Sequence, residues 1–173
     1  MEETRHHFVL ETEQLIRKRE QLWSGVTMAE NEWTMWLDIP SQDIPESKLS
    51  LIAVAAGDED LHNVRREVEK VYGITDPELV KMLTENYQRK EKDLDGQWFL
   101  AKFQNEYIGE IGIIPFEYKG EKIGRLQDVD ILAKHQGQGL GNELLRATLC
   151  HAKSKGFKSL CLMASADHWA KDW

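Results

Sequence analysis

Three features of the chain predict an α/β (α+β) domain built on a mixed sheet. Three strand-like segments follow one another between helical segments, which a strictly alternating parallel fold does not produce. An apolar, β-rich stretch at residues 126–132 leads into the glycine loop Gln136-Gly137-Gln138-Gly139-Leu140-Gly141, and an amphipathic helix pattern follows over residues 140–155. The length of 173 residues, with 41% hydrophobic and 30% charged, suits one folded domain with some extra chain.

Taken in order, residues 1–48 form an N-terminal extension and residues 49–173 the main domain. Within the extension, Leu15, Arg19 and Leu22 suggest a short helix ending at Ser24-Gly25, and residues 26–28 and 32–38 suggest two short strands around Glu30-Asn31. Trp33, Met35 and Leu37 alternate with Thr34, Trp36 and Asp38, and Trp23, Trp33 and Trp36 argue against solvated disorder. The extension reads as a layer packed on the domain, or else as a dimer or substrate-site element. Residues 49–56 read as a first buried strand ended by Gly57-Asp58. Asp58 or Asp60 caps a helix carrying Leu61, Val64, Val68 and Val71, closed by Gly73. Asp76-Pro77 opens a second helix with Leu79, Met82 and Leu83 on one stripe. Residues 85–96 are polar and predict a loop or a fraying helix end. Strands follow at residues 98–103 and 107–114, the second stopped by Pro115, and at residues 125–132 after a turn at Lys119-Gly120-Glu121. The helix beyond the glycine loop carries Leu140, Leu144, Leu145, Leu149 and Ala152 and ends at Gly156. Residues 159–164 form a short apolar strand, and residues 167–173 begin another helix.

Several function classes drop out. No apolar run approaches the ~18 residues of a membrane span, and the first residues lack the layout of a signal peptide. Cys150 and Cys161 have neither metal-ligand spacing nor a disulfide framework, so they read as buried free thiols in a cytoplasmic protein. His6-His7 lacks a spaced third ligand, so no metal site is expected. A net charge of -8 argues against nucleic acid and permits a cationic substrate such as a polyamine, an aminoglycoside or a lysine side chain.

The glycine loop carries the chemistry. Glycines let backbone approach a ligand closely, and the first N–H groups of the following helix have no internal partner. Those donors and the helix dipole attract an anion. A P-loop would end in Gly-Lys-Ser/Thr, and a dinucleotide fingerprint would have a third glycine where Asn142 stands. The pattern Gln/Arg-x-x-Gly-x-Gly/Ala is met by Gln136, Gly139 and Gly141. In these residues, and in element order over roughly residues 49–173, the chain resembles the GNAT superfamily of acetyl-CoA-dependent N-acetyltransferases. The alternative for the loop alone is a helix-capping turn with no ligand.

The resemblance implies a fold in which the strand before the glycine loop and the strand after the next helix splay apart to admit coenzyme A. It implies that Gln136, Gly137, Gln138, Gly139, Leu140, Gly141 and Asn142 hold the pyrophosphate of acetyl-CoA, with Gln136 replacing the commoner arginine. The main chain of Ile131, Leu132 and Ala133 would meet the acetyl and pantetheine groups, and Ser165 and Asp167 would contact pantetheine or cap the next helix. His168 and Trp169 would line the entrance. The reaction implied is direct attack of a primary amine on the acetyl thioester, which needs a proton acceptor and an oxyanion donor. Asp128 and Asp130 are the acceptor candidates, because strand alternation puts both on one face, opposite Val129 and Ile131. Either aspartate has the alternative of binding the substrate amine or pairing with Lys or Arg. Glu110 is a weaker candidate for which solvation is the simpler reading. A coenzyme A-binding sensor or interaction domain without turnover, and a structural subunit completed by another chain, are the rivals to an enzyme.

One departure stands out. Family members continue Asn/Asp-x-x-Ala-x-x-x-Tyr after this strand, the tyrosine serving as general acid. Asp167 and Ala170 match, but Trp173 falls one position short of the tyrosine, and the last two strands of the family fold are absent from the sequence. Tyr107 and Tyr118 are the replacements at hand. The expectation is that the strands at residues 26–38 cover the edge of residues 159–164, in cis or from a second subunit of a homodimer, unless the end is truncated and frayed. Acceptor choice is expected to reside in the first two helices and in residues 115–122.

Overall fold

Two tight turns fold the centre of the chain into a meander. At the second, Lys119 (φ 51°) and Gly120 (φ 78°) both adopt left-handed backbone, the geometry of a two-residue hairpin whose twist matches its strands. The computed structural model describes residues 32–165. The helix expected around Leu15–Leu22, the strand at 26–28 and the helix at 167–173 lie outside the described residues, as do His6, His7, Asp167, His168, Trp169 and Ala170.

The elements are β1 (Glu32–Asp38), β2 (Ser50–Val54), α1 (Glu59–Val71), α2 (Pro77–Asp93), β3 (Gln97–Phe103), β4 (Glu106–Tyr118), β5 (Glu121–Ile131), a 3-10 turn (Ala133–His135), α3 (Leu140–Ser154) and β6 (Ser159–Ser165). They build one six-stranded sheet in the order β1-β6-β5-β4-β3-β2. All pairings are antiparallel except β5 with β6, so the sheet is mixed, as the sequence predicts. Strand alternation divides the core between two faces. Phe99, Ile111, Ile113, Leu126 and Ile131 pack with Leu140 and Leu144 of α3. Trp98, Leu100 and Leu132 pack with Leu61 and Val64 of α1 on the other face.

Helix starts follow their sequence signals. Asp58 accepts from the Leu61 N–H and Asp76 from the Leu79 N–H, with Pro77 opening α2. Four expectations need correction. α2 does not stop near residue 85 but continues to Asp93, because Tyr87 and Glu91 meet the buried Arg65 of α1 and Lys90 meets Asp128 of β5. β4 runs through Pro115 to Tyr118: β3 ends opposite Ile113, so from there β4 is bare on that side and the missing N–H breaks no ladder bond. β2 is an edge strand with Ile52 and Ala53 exposed, rather than a buried one. Cys161 is buried, but Cys150 only partly so.

The edge of β6 is covered in cis. β1 pairs with it along its whole length, from Glu32↔Ser165 to Asp38↔Ser159, and Ser159 donates its hydroxyl to Asp38 at 3.0 Å. On its other side β6 pairs with β5 only at Ile123↔Ser159, Gly124↔Leu160 and Arg125↔Cys161. Beyond Arg125 the two strands part, leaving residues 126–131 of β5 open toward β6. No helix among the described residues is long and apolar enough to cross a membrane.

Candidate functional site

The opening between β5 and β6 leads to the glycine loop. Gly137 (φ 72°) and Gly139 (φ 74°) are both left-handed, a conformation that costs an L side chain strain and leaves glycine free. Gly139 is the N-cap of α3 and no side chain caps that end, so the N–H groups of Leu140, Gly141 and Asn142 point out of the helix without a helical partner. A Cβ built on Gly137 or Gly139 meets nothing within 4 Å, so the backbone there borders open space. The donor set and the helix dipole fit an anionic group such as a pyrophosphate.

Upstream, the Leu132 N–H bonds Ile108 O at 2.8 Å across the β4–β5 ladder. By antiparallel alternation the N–H and C=O of Ile131 point the other way, into the opening. Gln136 turns back and donates its amide to Ile131 O at 2.8 Å, and its own N–H bonds Ala133 O at 3.2 Å. Gln136 thus braces the strand end, and the carbonyls of Ile131 and Ala133 both have partners within the chain. The backbone of Ser165 ends β6 opposite Glu32.

The carboxylates lie on the α1/α2 face. Glu110 pairs with Asp130 and Gly112 with Gln127, so Asp128 and Val129 together oppose Ile111 alone. This is a β-bulge, and Asp128 sits in it with φ 49°. Val129 and Ile131 pack with the α3 face, as alternation predicts, while Asp128 meets Arg65 and Lys90 on the other. Lys90 Nζ donates to both Asp128 oxygens, each at 3.0 Å, and Gln127 donates to Oδ1 at 3.0 Å. Arg65 is buried at the centre: its Nε donates to Glu110 Oε2 at 2.8 Å, its Nη1 pairs with Glu91, and its Nη2 lies 3.6 Å from Asp128 Oδ2. Its guanidinium lies over the rings of Tyr87 (4.4 Å) and Trp98 (5.2 Å).

Burial governs the protonation of this face. It pushes Glu110 up to about 8, against the pull of Arg65 and with help from Asp128. Burial also raises Asp130, Asp128 adding to it and Arg65 opposing. Burial disfavours the Arg65 charge, but Glu110 and Asp128 outweigh it and hold the guanidinium ionised. The Tyr87 hydroxyl, raised by burial and then by Asp128, keeps its proton. The expectation of a solvated Glu110 is therefore corrected, since its side chain is enclosed and accepts a hydrogen bond from Arg65. Tyr107 packs beside Leu61 and Trp98, and Tyr118 is exposed at the hairpin tip. The buried Arg65 and Glu91 and the half-buried Tyr87 and Lys90 escape a reading based on apolar periodicity because they are polar groups enclosed by pairing with one another and with the sheet. A depression of about 310 Å³ between Leu49, Leu51, Ala147 and His151 lies on the α3 face, away from these carboxylates.

The comparisons agree with this geometry. Residues 61–171 match the acetyltransferase (GNAT) family, and the chain belongs to that family. A protein of Pyrococcus furiosus described as an acetyl transferase is similar in structure, with a TM-score of 0.59 and 21% identity over 72% of this chain and 88% of its own. An aminoglycoside acetyltransferase from an uncultured soil metagenomic sample, solved with sisomicin, gives a TM-score of 0.55 and 22% identity over 72% of this chain and 83% of its own. A Clostridium acetobutylicum protein described as an acetyltransferase and solved with acetyl-CoA gives 0.50 and 19%, over 68% and 82%. At such identities the likeness is one of fold. No curated protein matches the chain. Proteins of this family use acetyl-CoA.

Proposed function

We propose that this chain is a cytoplasmic N-acetyltransferase that transfers the acetyl group of acetyl-CoA to a primary amine by direct attack. One observation carries the reading: β5 parts from β6 at the strand end that leads into an uncapped helix N-terminus, with two carboxylates on the same strand. Gln136 to Asn142 hold the pyrophosphate, Gln136 by bracing the loop and the residues after it through backbone donors, and Ile131, Leu132 and Ala133 form the wall beside pantetheine and the acetyl group. The Ile131 N–H, directed into the opening, supports the developing oxyanion. Ser165 and Asp167 serve as pantetheine contacts in this reading. Residues 1–48 are an extension to the 49–173 acetyltransferase domain.

The amine must lose its proton to attack. Of the two aspartates, Asp130 suits proton acceptance, because its raised pKa brings it nearer the working pH and it has no direct ion-pair partner among the described residues. Asp128, bonded to Lys90, serves as a fixed negative charge for a cationic acceptor. As the nitrogen–carbon bond forms, the carbon–sulfur bond breaks and Asp130 holds the amine proton.

Calorimetric titration of acetyl-CoA into the wild-type chain and into Gly141→Glu tests the cofactor site. Gly141 has ordinary helical backbone in the first turn of α3, where a glutamate complements the dipole and leaves folding intact. Micromolar binding lost in the variant, with an unchanged melting temperature, is the expected result. Equal binding by both would overturn the site.

A further inference from the structure

Lys90 occupies a position that a substrate ammonium would fit. Its Nζ lies 3.0 Å from each Asp128 oxygen, 5.2 Å from the Tyr87 ring centroid and 6.0 Å from that of Trp98. One carboxylate and two ring faces form the recognition set for an alkylammonium ion. The three groups come from β5, α2 and β3. The pair is not sealed: the Lys90 side chain is 22% exposed, whereas that of Arg65 is 2% exposed. Asp128 also keeps one other donor, Gln127 at 3.0 Å, and the Arg65 guanidinium charge, whose Nη2 lies 3.6 Å away. Departure of Lys90 therefore does not strand a buried charge, the event that makes breaking an enclosed pair costly. The Asp128 backbone is held in the left-handed region by a bulge, a device that re-aims a side chain and recurs beside active sites.

We propose that the seat of the Lys90 ammonium is the acceptor-ammonium site, with Lys90 as its resident competitor. A primary alkylammonium substrate enters by displacing Lys90 from Asp128, Tyr87 and Trp98. This deepens the acetyl-transfer reading and rests on it. A compact ammonium with three N–H donors matches what Lys90 presents, whereas a planar guanidinium does not. The displaced lysine swings toward solvent on its four-carbon stem. Because the competitor is tethered, it acts at an effective concentration in the millimolar range, so only substrates that bind the rest of the site well displace it.

The test is amine binding without any cofactor, which separates it from acetyl transfer. n-Butylammonium is titrated into the full chain, with n-butanol as neutral control, and the backbone amide signals of Asp128 and Val129 are followed by heteronuclear NMR. Lys90→Met and Lys90→Gln are each expected to bind n-butylammonium more tightly than wild type, on the order of tenfold, because the tethered competitor is gone. Asp128→Asn, which tolerates the same left-handed backbone, is expected to lose binding in either background. Unchanged or weaker binding in both Lys90 variants would overturn the proposal, as would Asp128→Asn that binds like wild type. Tighter amine binding in a chain that does not bind acetyl-CoA would uphold the ammonium site and sink the enzymatic reading. Acetyl-CoA binding with no Lys90 effect would do the reverse.

Discussion

At the scale of single residues, the two β5 aspartates differ through their neighbours rather than through their chemistry. Asp128 is bonded by Lys90 and Gln127 and lies close to Arg65, while Asp130 is half-buried opposite Glu110 and near the Asp128 charge. The two should therefore fail differently when neutralised. Asp130→Asn is expected to lower kcat/KM by roughly 10²- to 10⁴-fold, the usual contribution of a positioned base. Because burial raises Asp130, wild-type activity should fall as pH drops through that raised value, and the Asn variant should lack this acidic limb in a pH–rate profile. An acidic limb of wild-type shape in the variant would assign the proton to another group. At this scale the sequence was partly legible. The placement of Asp128 and Asp130 on one face follows from alternation, but the bulge between them does not, because it depends on register with β4. Arg65 was silent in the sequence: it sits one position from Val64 on a helix whose stripe reads as core, and only the sheet reveals that its face meets Glu110.

At the scale of elements, the α1/α2 face is joined to the sheet by an apolar cluster and also by charge to β4 and β5, and the α3 face by apolar packing. The charged link makes stability depend on pH. Glu110 has a folded pKa of about 8, above the ordinary carboxylate value, so its contribution is fully present at acid pH and is lost as pH rises toward 8. Melting temperatures measured from pH 5 to pH 8 should therefore decline more steeply for wild type than for Glu110→Gln. Parallel curves would show that Arg65 keeps Glu110 ionised throughout. Close approach also fixes one glycine. A Cβ at Gly112 would lie 2.3 Å from the Trp98 ring, so Gly112→Ala is expected to cost about 1–3 kcal/mol, read by denaturant unfolding. Element boundaries were legible wherever a cap or glycine marked them, as at Asp58, Asp76 and Gly156. They depart from local signals wherever tertiary contacts override them, as in the second half of α2 and at Pro115.

At the scale of the whole molecule, the mixed sheet and its order of elements could be read from three consecutive strands and one glycine loop. The sheet is extended from the direction the sequence predicts, since β1 comes from residues that precede the matched family region and pairs with β6 in cis. Removing residues 1–38 should bare the outer edge of β6, lower the melting temperature and produce concentration-dependent scattering in solution. A truncated chain that stays monomeric with an unchanged melting temperature would show that β1 is dispensable. The same pairing has a consequence during synthesis. Asp38 leaves the ribosome more than a hundred residues before its partner Ser159. At translation rates of about 5–20 residues per second, β1 waits roughly 6–25 s with no strand to pair with. The nascent chain must carry the unpaired Trp-Thr-Met-Trp-Leu stretch through that interval, so yield should respond to chaperone supply and to synthesis rate more than the finished fold's stability would suggest.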